Sequence, residues 1–101
     1  MTRSEFELLL DAQLAAVRST LAAKREEYAP GDDVLANFAR GAAIAEESPA
    51  RYLWCCLSKH LASLAEMTKE PTAYDATRWR EKVGDAVNYL LLQEAMVHDT
   101  D

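Results

Sequence analysis

The sequence predicts a small all-α protein, a single domain over residues 1–101 built as a bundle of about four helices. Apolar residues recur at three- and four-residue steps in four separate segments, and no segment alternates with period two over a useful length. The chain has only three glycines and three prolines, too few for the many turns of a β-sandwich or barrel. Half of the residues are hydrophobic and 28% are charged, a composition typical of a folded globular domain.

The first helix is predicted to start behind Ser4 and Glu7, which have the spacing of a capping box. Ala29-Pro30-Gly31 should end it, since proline cannot continue a helix and glycine suits a chain reversal. Asp32 or Asp33 then caps a shorter second helix. The apolar face of the first helix consists of residues three or four positions apart: Phe6, Leu9, Leu10, Leu14, Val17 and Leu21.

The third helix is predicted to begin at Ser48-Pro49, because a capping residue followed by proline is typical of a helix start. It runs to about Lys69 and is broken by Pro71-Thr72. Thr72 or Asp75 caps a fourth helix that reaches about His98.

The apolar faces of these helices are wide for so short a chain. Pairing with a second copy would bury the surplus, so we expect a homo-oligomer that completes the bundle. Gly84 lies inside the apolar stripe of the fourth helix, where it costs about 1 kcal/mol relative to alanine. We therefore expect another backbone or a ligand to pack closely against it.

The charge pattern limits the class of partner. A net charge of −6 has the wrong sign for binding long nucleic acids. Residues 51–82 nevertheless hold six bases and four acids, while residues 1–50 and 83–101 each carry −4. This basic middle could bind one small anion, and ordinary variation of the surface is the alternative.

The location that we expect is the cytoplasm. No apolar run approaches the roughly 20 residues of a membrane span, and the N-terminal residues are too polar for a signal peptide. The adjacent Cys55 and Cys56 are too few for a structural zinc site. The sequence therefore predicts no membrane contact and no resident metal.

The fourth helix carries a polar stripe beside its apolar face. Glu81, Asp85 and Asn88 follow one another at steps of four and three, so they lie on one side of the helix. Two carboxylates four residues apart could hold a divalent metal that bridges to phosphate oxygens. The alternative is a solvated face on which Arg78 and Lys82 pair with the acids.

Lys59 and His60 are the candidate phosphate contacts of the third helix. His60 falls near the centre of an apolar stripe, where a histidine is either a hydrogen-bonded core or interface residue or a ligand contact. Lys59 beside it favours an anion, since both side chains donate to phosphate. A metal-binding histidine is less favoured, because no second His or Cys lies one turn away.

Polar and aromatic residues cluster around the first break in the chain. Lys24 and Tyr28 precede the break, and Asn37-Phe38 follows it. Asn37 and Tyr28 could contact the edge of a ring on which Phe38 stacks. The alternative places Tyr28 and Phe38 in the core and Asn37 on the surface.

The segment Arg80-Glu81-Lys82-Val83-Gly84-Asp85 and the aliphatic run after it resemble the second metal-binding helix of the MazG-like, all-α nucleotide pyrophosphohydrolases. That helix typically reads Glu-Glu-hydrophobic-Gly-Asp. The family's first motif, Glu-Glu-x-x-Glu-Leu, would correspond to residues 59–64 of this chain, and the resemblance covers roughly residues 50–95. It implies an all-α fold and a nucleotide ligand.

The acids of the first motif are replaced in this chain. The family uses four acids on two helices to hold magnesium against a nucleotide's phosphates. On this alignment Lys59, His60 and Ser63 stand in the first motif, and Lys82 replaces one acid of the second. Only Asp85 remains, with Glu81 displaced by one position. Such a site should repel a cation and attract phosphate directly, so that nucleotide affinity survives without the metal chemistry.

The wider pattern also resembles a set of small phage-borne proteins. Its motifs are Lys24 with Tyr28, Asn37-Phe38, Lys59-His60, and Asp85 with Asn88-Tyr89. Phages use small oligomeric proteins to sequester the nucleotide signals of bacterial immunity, so the resemblance suggests an anti-defence sponge for linear or cyclic signalling nucleotides.

The leading hypothesis is therefore a non-catalytic nucleotide-binding protein. Lys59, His60 and Lys82 would contact phosphate, with Arg78 or Arg80 as further contacts. Asp85 and Asn88 would orient the site or contact ribose or base, and the ring would be framed by Tyr28, Asn37 and Phe38.

Two alternatives belong to other functional classes. One is a magnesium-dependent nucleoside triphosphate pyrophosphohydrolase that uses Glu81, Asp85 and a further acid, Glu66 or Glu26. The other is a helical inhibitor of a host protein that presents its acidic surface as a decoy.

Overall fold

The computed structural model describes residues 1–28, 31 and 33–99, without the side chains of Arg25 and Tyr28. Over this part of the chain the protein is helical and has no β-strand. A 3₁₀ turn, Pro71–Ala73, precedes the last of four α-helices: α1 Arg3–Tyr28, α2 Ala36–Ala45, α3 Pro49–Met67 and α4 Ala76–Asp99. The all-α class and the number of helices are thereby confirmed.

The capping box of α1 lies two residues before the predicted one. The backbone N–H of Thr2 donates to Glu5 Oε2 at 2.8 Å, and the N–H of Glu5 donates to Thr2 Oγ1 at 3.1 Å. This reciprocal pair satisfies two N–H groups that the first turn leaves without helical partners. The prediction of a box at Ser4 and Glu7 was wrong, because α1 begins already at Arg3.

The starts of α3 and α4 follow the predicted polar residues: Ser48 and Asp75 each accept a hydrogen bond from the backbone N–H three residues later, at 3.2 and 2.8 Å. Asp33 accepts from the N–H of Leu35 at 3.0 Å, but Leu35 is the N-cap of α2 and provides no side-chain cap, so the prediction that Asp33 caps this helix was wrong. Pro49 occupies the first turn of α3, where its missing N–H costs nothing. Three residues of the predicted first break lie outside the described part of the chain: Ala29, Pro30 and Asp32.

Helix α3 packs between α2 and α4. It runs antiparallel to α4, since Gln93 Nε2 donates to the carbonyl of Ala50 at 3.3 Å near one end and His60 meets Asp85 near the other. Helix α2 folds back along α3 after the short connection at residues 46–48. The core around α3 contains buried leucine and methionine side chains: Leu35, Leu53, Leu57, Met67 and Met96.

Helix α1 packs mainly against α4. Gln13 Nε2 donates to the carbonyl oxygen of Arg80 at 3.0 Å, and the Gln13 side chain covers Gly84. A Cβ atom at Gly84 would lie 3.4 Å from Gln13 Oε1. The neighbour of Gly84 is therefore a side chain of α1 at ordinary van der Waals distance, and not the closely packed backbone that was one of the two expectations.

Candidate functional site

An open groove of about 1030 Å³ lies between α1, α2 and α4. Its volume is at the upper end of the roughly 300–1,000 Å³ typical of small-molecule sites. Helix α1 supplies an aliphatic wall, which includes Leu14 and Leu21. Helix α2 supplies Asn37 and Phe38, and α4 supplies a polar and aromatic run: Asp85, Asn88 and Tyr89. Four of the predicted site residues thus meet in one groove: Asn37, Phe38, Asp85 and Asn88.

Tyr89 connects the groove to α3 through two aromatic contacts. The ring of Phe38 meets it edge-on, with centroids 6.0 Å apart and an interplanar angle of 74°. The imidazole of His60 stacks on it at 4.7 Å and 30°. These geometries are the favourable ones for aromatic pairs, so they fix the orientation of the groove's aromatic wall.

Asn88 is a buried polar residue that faces the groove. Asn88 is 5% exposed, and its side-chain oxygen Oδ1 accepts no hydrogen bond from the residues that the structure describes. A buried acceptor without a partner costs about 1–3 kcal/mol, and such groups are rare in native proteins. A hydrogen-bond donor on a bound molecule would satisfy this oxygen.

His60 and Asp85 lie side by side, as the sequence motifs suggested. His60 Nδ1 is 3.8 Å from Asp85 Oδ2, and about a third of each side chain is exposed. Asp85 lines the groove, whereas His60 lies behind it and reaches it through Tyr89. His60 therefore positions Asp85 and Tyr89 from outside the groove.

Four predicted phosphate contacts are placed outside the groove lining. Arg78 NH1 lies 3.6 Å from Glu81 Oε2 on the exposed side of α4. Lys59 is exposed on α3. Lys82 is half-buried on α4. Arg80 is exposed, and its carbonyl oxygen accepts the hydrogen bond from Gln13. The side chain of Tyr28, which was expected to frame the ring, lies outside the described part of the structure.

Two cations of α1, Arg18 and Lys24, line the groove instead. Neither makes an ion pair with a carboxylate in the part of the chain that the structure describes. Arg18 had not been recognised as a site residue, and Lys24 had been noted only as part of a motif. The available signal was the spacing, because Arg18 lies four residues after Leu14 and three before Leu21 and so interrupts the apolar stripe.

The described side chains do not form a magnesium site. In residues 1–28, 31 and 33–99, no three His, Cys, Asp or Glu side chains cluster in a way that could hold a metal ion. Glu81 faces Arg78 and Asp85 faces His60, so each acid of the polar stripe has a nitrogen donor beside it. The further acid Glu66 pairs with Lys69 at 3.0 Å, and Glu26 is exposed on α1.

A smaller cleft of about 170 Å³ lies between α1 and α4 on the other side of Asn88. Gln13 borders this cleft, and its Oε1 is a second buried acceptor without a hydrogen-bond partner. Asp85 and Asn88 line both the cleft and the groove. The polar side of α4 is therefore accessible from two directions.

The chain matches no family model, no curated protein and no solved structure. The resemblance to the MazG-like enzymes and to the small phage proteins therefore stays a prediction. Among the helices described, none is both long and apolar enough to cross a membrane.

Proposed function

We propose that this protein binds a phosphate-containing nucleotide in the groove between α1, α2 and α4, without converting it. The observation that carries the proposal is the buried Oδ1 of Asn88, an acceptor with no partner beside an aromatic wall. A nucleobase offers what this position lacks, namely N–H donors at the edge of a flat ring.

Each part of a nucleotide has a matching surface in the groove. The base lies against Phe38 and Tyr89, and its edge donates to Asn88 Oδ1. Asp85, one-third exposed at the groove surface, accepts from ribose hydroxyls. Arg18 and Lys24 supply two cations for the phosphates, and neither forms an ion pair with a carboxylate of the described residues. Charge-assisted hydrogen bonds between such cations and phosphate are the strong ones.

The basic residues outside the groove have a different role in this proposal. Lys59, Lys82 and Arg80 form part of the basic middle of the chain and attract an anionic ligand towards an otherwise acidic protein. A direct phosphate contact through Lys59 is the competing placement. Comparing the nucleotide affinities of Arg18→Glu and Lys59→Glu separates the two placements of the phosphates. Both substitutions reverse one charge, and only Arg18 lines the groove.

The biological form of the proposal is a sponge that sequesters signalling nucleotides, linear or cyclic, in the cytoplasm of a phage-infected bacterium. It rests on the motif resemblance and on the chemistry of the groove. The nitrogen donors beside Asp85 and Glu81 support retention over turnover, because the described residues place no cluster of carboxylates around either acid, and a magnesium-dependent hydrolase needs one. We also propose that the protein acts as a homo-oligomer.

The test is a panel of linear and cyclic nucleotides incubated with the protein and magnesium, then filtered. The retained protein is heated, and both filtrate and released material are chromatographed. We expect one nucleotide to disappear from the filtrate and to return intact on heating. New monophosphate or pyrophosphate, lost with chelator and with Asp85→Asn, would contradict binding without turnover. If every nucleotide stays in the filtrate unconverted, the helical inhibitor of a host protein is favoured instead.

A further inference from the structure

The surface of this chain is too large for a compact monomer of its mass. Its accessible surface is 7377 Å², whereas the scaling for folded monomers gives about 5,700 Å² for a mass of 11.3 kDa. Its radius of gyration is 15.4 Å, against about 13 Å for a compact domain of 100 residues. The surplus is roughly 1,700 Å² of surface per chain.

Much of this surplus lies on the first half of α1, where all of residues 1–11 are exposed. Gln13 bonds to Arg80 near the start of α4, and further along α1 Leu21 shares a groove with Leu91 and Leu92. The two helices therefore run side by side in the same direction. In that register the first six residues of α1, residues 3–8, precede the start of α4 at Ala76, so α4 cannot cover them.

The first half of α1 presents an apolar stripe to solvent, which begins before the start of α4 and continues beside it. Its members lie on one side of the helix by their spacing, and each is between 41% and 54% exposed: Phe6, Leu9, Leu10 and Leu14. Leu14 also lines the groove, so the stripe continues into the groove wall. Across the groove, Leu91 of α4 is likewise 46% exposed.

We infer that a second copy of this chain covers the stripe and closes the groove, so that the nucleotide site is shared between subunits. Two chains that each bury roughly 1,700 Å² bury about 3,400 Å² together, which is within the 2,000–5,000 Å² that obligate homodimer interfaces bury in total. A second copy is present wherever the chain itself is made, so it can cover this surface in every molecule. Because Leu14 belongs to both surfaces, covering the stripe also narrows the groove.

Closure of the groove makes assembly and ligand binding reciprocal. A ligand that contacts both subunits binds the assembled protein more tightly than the single chain, and the ligand must then strengthen assembly by the same factor. This part of the inference rests on the nucleotide binding proposed above, whereas the interface itself does not.

Two substitutions in α1 provide a matched pair for the test. Leu10→Glu places a charge on the stripe at a residue outside the groove lining. Leu8→Glu makes the same change two residues away, on the opposite side of the helix, at a residue that is 71% exposed. Sedimentation equilibrium gives the mass of each full-length variant, circular dichroism its helicity, and equilibrium dialysis its affinity for the nucleotide retained in the panel.

The wild type and Leu8→Glu should sediment as a multiple of 11.3 kDa. Leu10→Glu should keep its helicity, sediment as a monomer and bind the nucleotide at least tenfold more weakly. A monomeric wild type at about 100 μM protein would overturn the inference, as would dissociation of both variants alike. A monomeric Leu10→Glu with unchanged affinity would overturn the shared site. Assembly without any retained nucleotide supports the interface and refutes the proposed function alone.

Discussion

Replacing Asn88 by leucine should stabilise the protein and abolish nucleotide binding in one step. The side-chain oxygen of Asn88 accepts no hydrogen bond from any described residue, and Asn88 is 5% exposed. Leucine has nearly the same shape and no polar atoms. The substitution therefore removes a desolvated acceptor without breaking a hydrogen bond to that oxygen.

The size of the effect follows from the cost of the buried acceptor. An unsatisfied buried polar group costs about 1–3 kcal/mol, and this is the stability that its removal can recover. The change of shape in a packed site offsets up to about 1 kcal/mol of the recovered stability. We expect Asn88→Leu to raise the free energy of unfolding by about 1–2 kcal/mol. For a domain of about 100 residues each kcal/mol corresponds to about 4–8 °C in the melting temperature.

The assay combines urea unfolding at a fixed protein concentration with equilibrium dialysis of the retained nucleotide. Gln93→Met is the control, because Gln93 also has a buried side-chain oxygen without a partner but lies outside the groove lining. Its Nε2 donates to the carbonyl of Ala50. Gln93→Met therefore gains stability by removing the buried oxygen and loses about as much by removing this hydrogen bond. Gln93→Met should keep wild-type stability within about 0.5 kcal/mol and should keep nucleotide affinity.

Two results would refute this reasoning about Asn88. A loss of more than 1 kcal/mol of stability on Asn88→Leu would mean that the asparagine has a structural hydrogen bond. Unchanged nucleotide affinity would mean that the amide does not contact the ligand, and that the groove is not the site.

Three further predictions concern the groove and the helix packing. Arg18→Glu should weaken nucleotide binding by ten- to a hundredfold, since it removes a charge-assisted hydrogen bond; equal loss with Lys59→Glu in dialysis would contradict this. Gly41→Ala should lower the free energy of unfolding by about 1–2 kcal/mol, because a Cβ atom would lie 2.5 Å from Tyr52 Cε1. In a Tyr52→Ala background Gly41→Ala should instead raise the free energy of unfolding by about 1 kcal/mol in urea melts. If Gly41→Ala lowers the free energy of unfolding in that background as well, the clash with Tyr52 is disproved. Ser48→Ala should cost about 1 kcal/mol by loss of the α3 cap; a loss below 0.3 kcal/mol would show that the cap contributes little.

The helices could be predicted from the sequence because their signals are local. Ser48-Pro49 and Asp75 satisfy N–H groups within three residues of themselves, so no tertiary information is needed to place them. One exception is the start of α1. Thr2 and Glu5 have the same three-residue spacing as Ser4 and Glu7, and only the structure decides which pair forms the box.

The site was less predictable because it depends on how the helices pack. His60 and Asp85 are brought together by the antiparallel pairing of α3 and α4, which is a tertiary contact. Lys59 precedes His60 by one residue, so the helix turns it by about 100° and exposes it. Arg18 interrupts the apolar stripe of α1 in the sequence, but the groove that it lines is formed by the register of α1 on α4, which is a long-range feature.

The most direct test of the proposed site is a crystal structure of the protein with the nucleotide retained in the panel. The groove between α1, α2 and α4 should contain the ligand, with its ring against Phe38 and Tyr89. A base N–H should donate to Asn88 Oδ1 at about 2.9 Å, and the phosphates should lie beside Arg18 and Lys24. A nucleotide bound at Lys59 on the exposed side of α3, with the groove filled by water, would contradict the account.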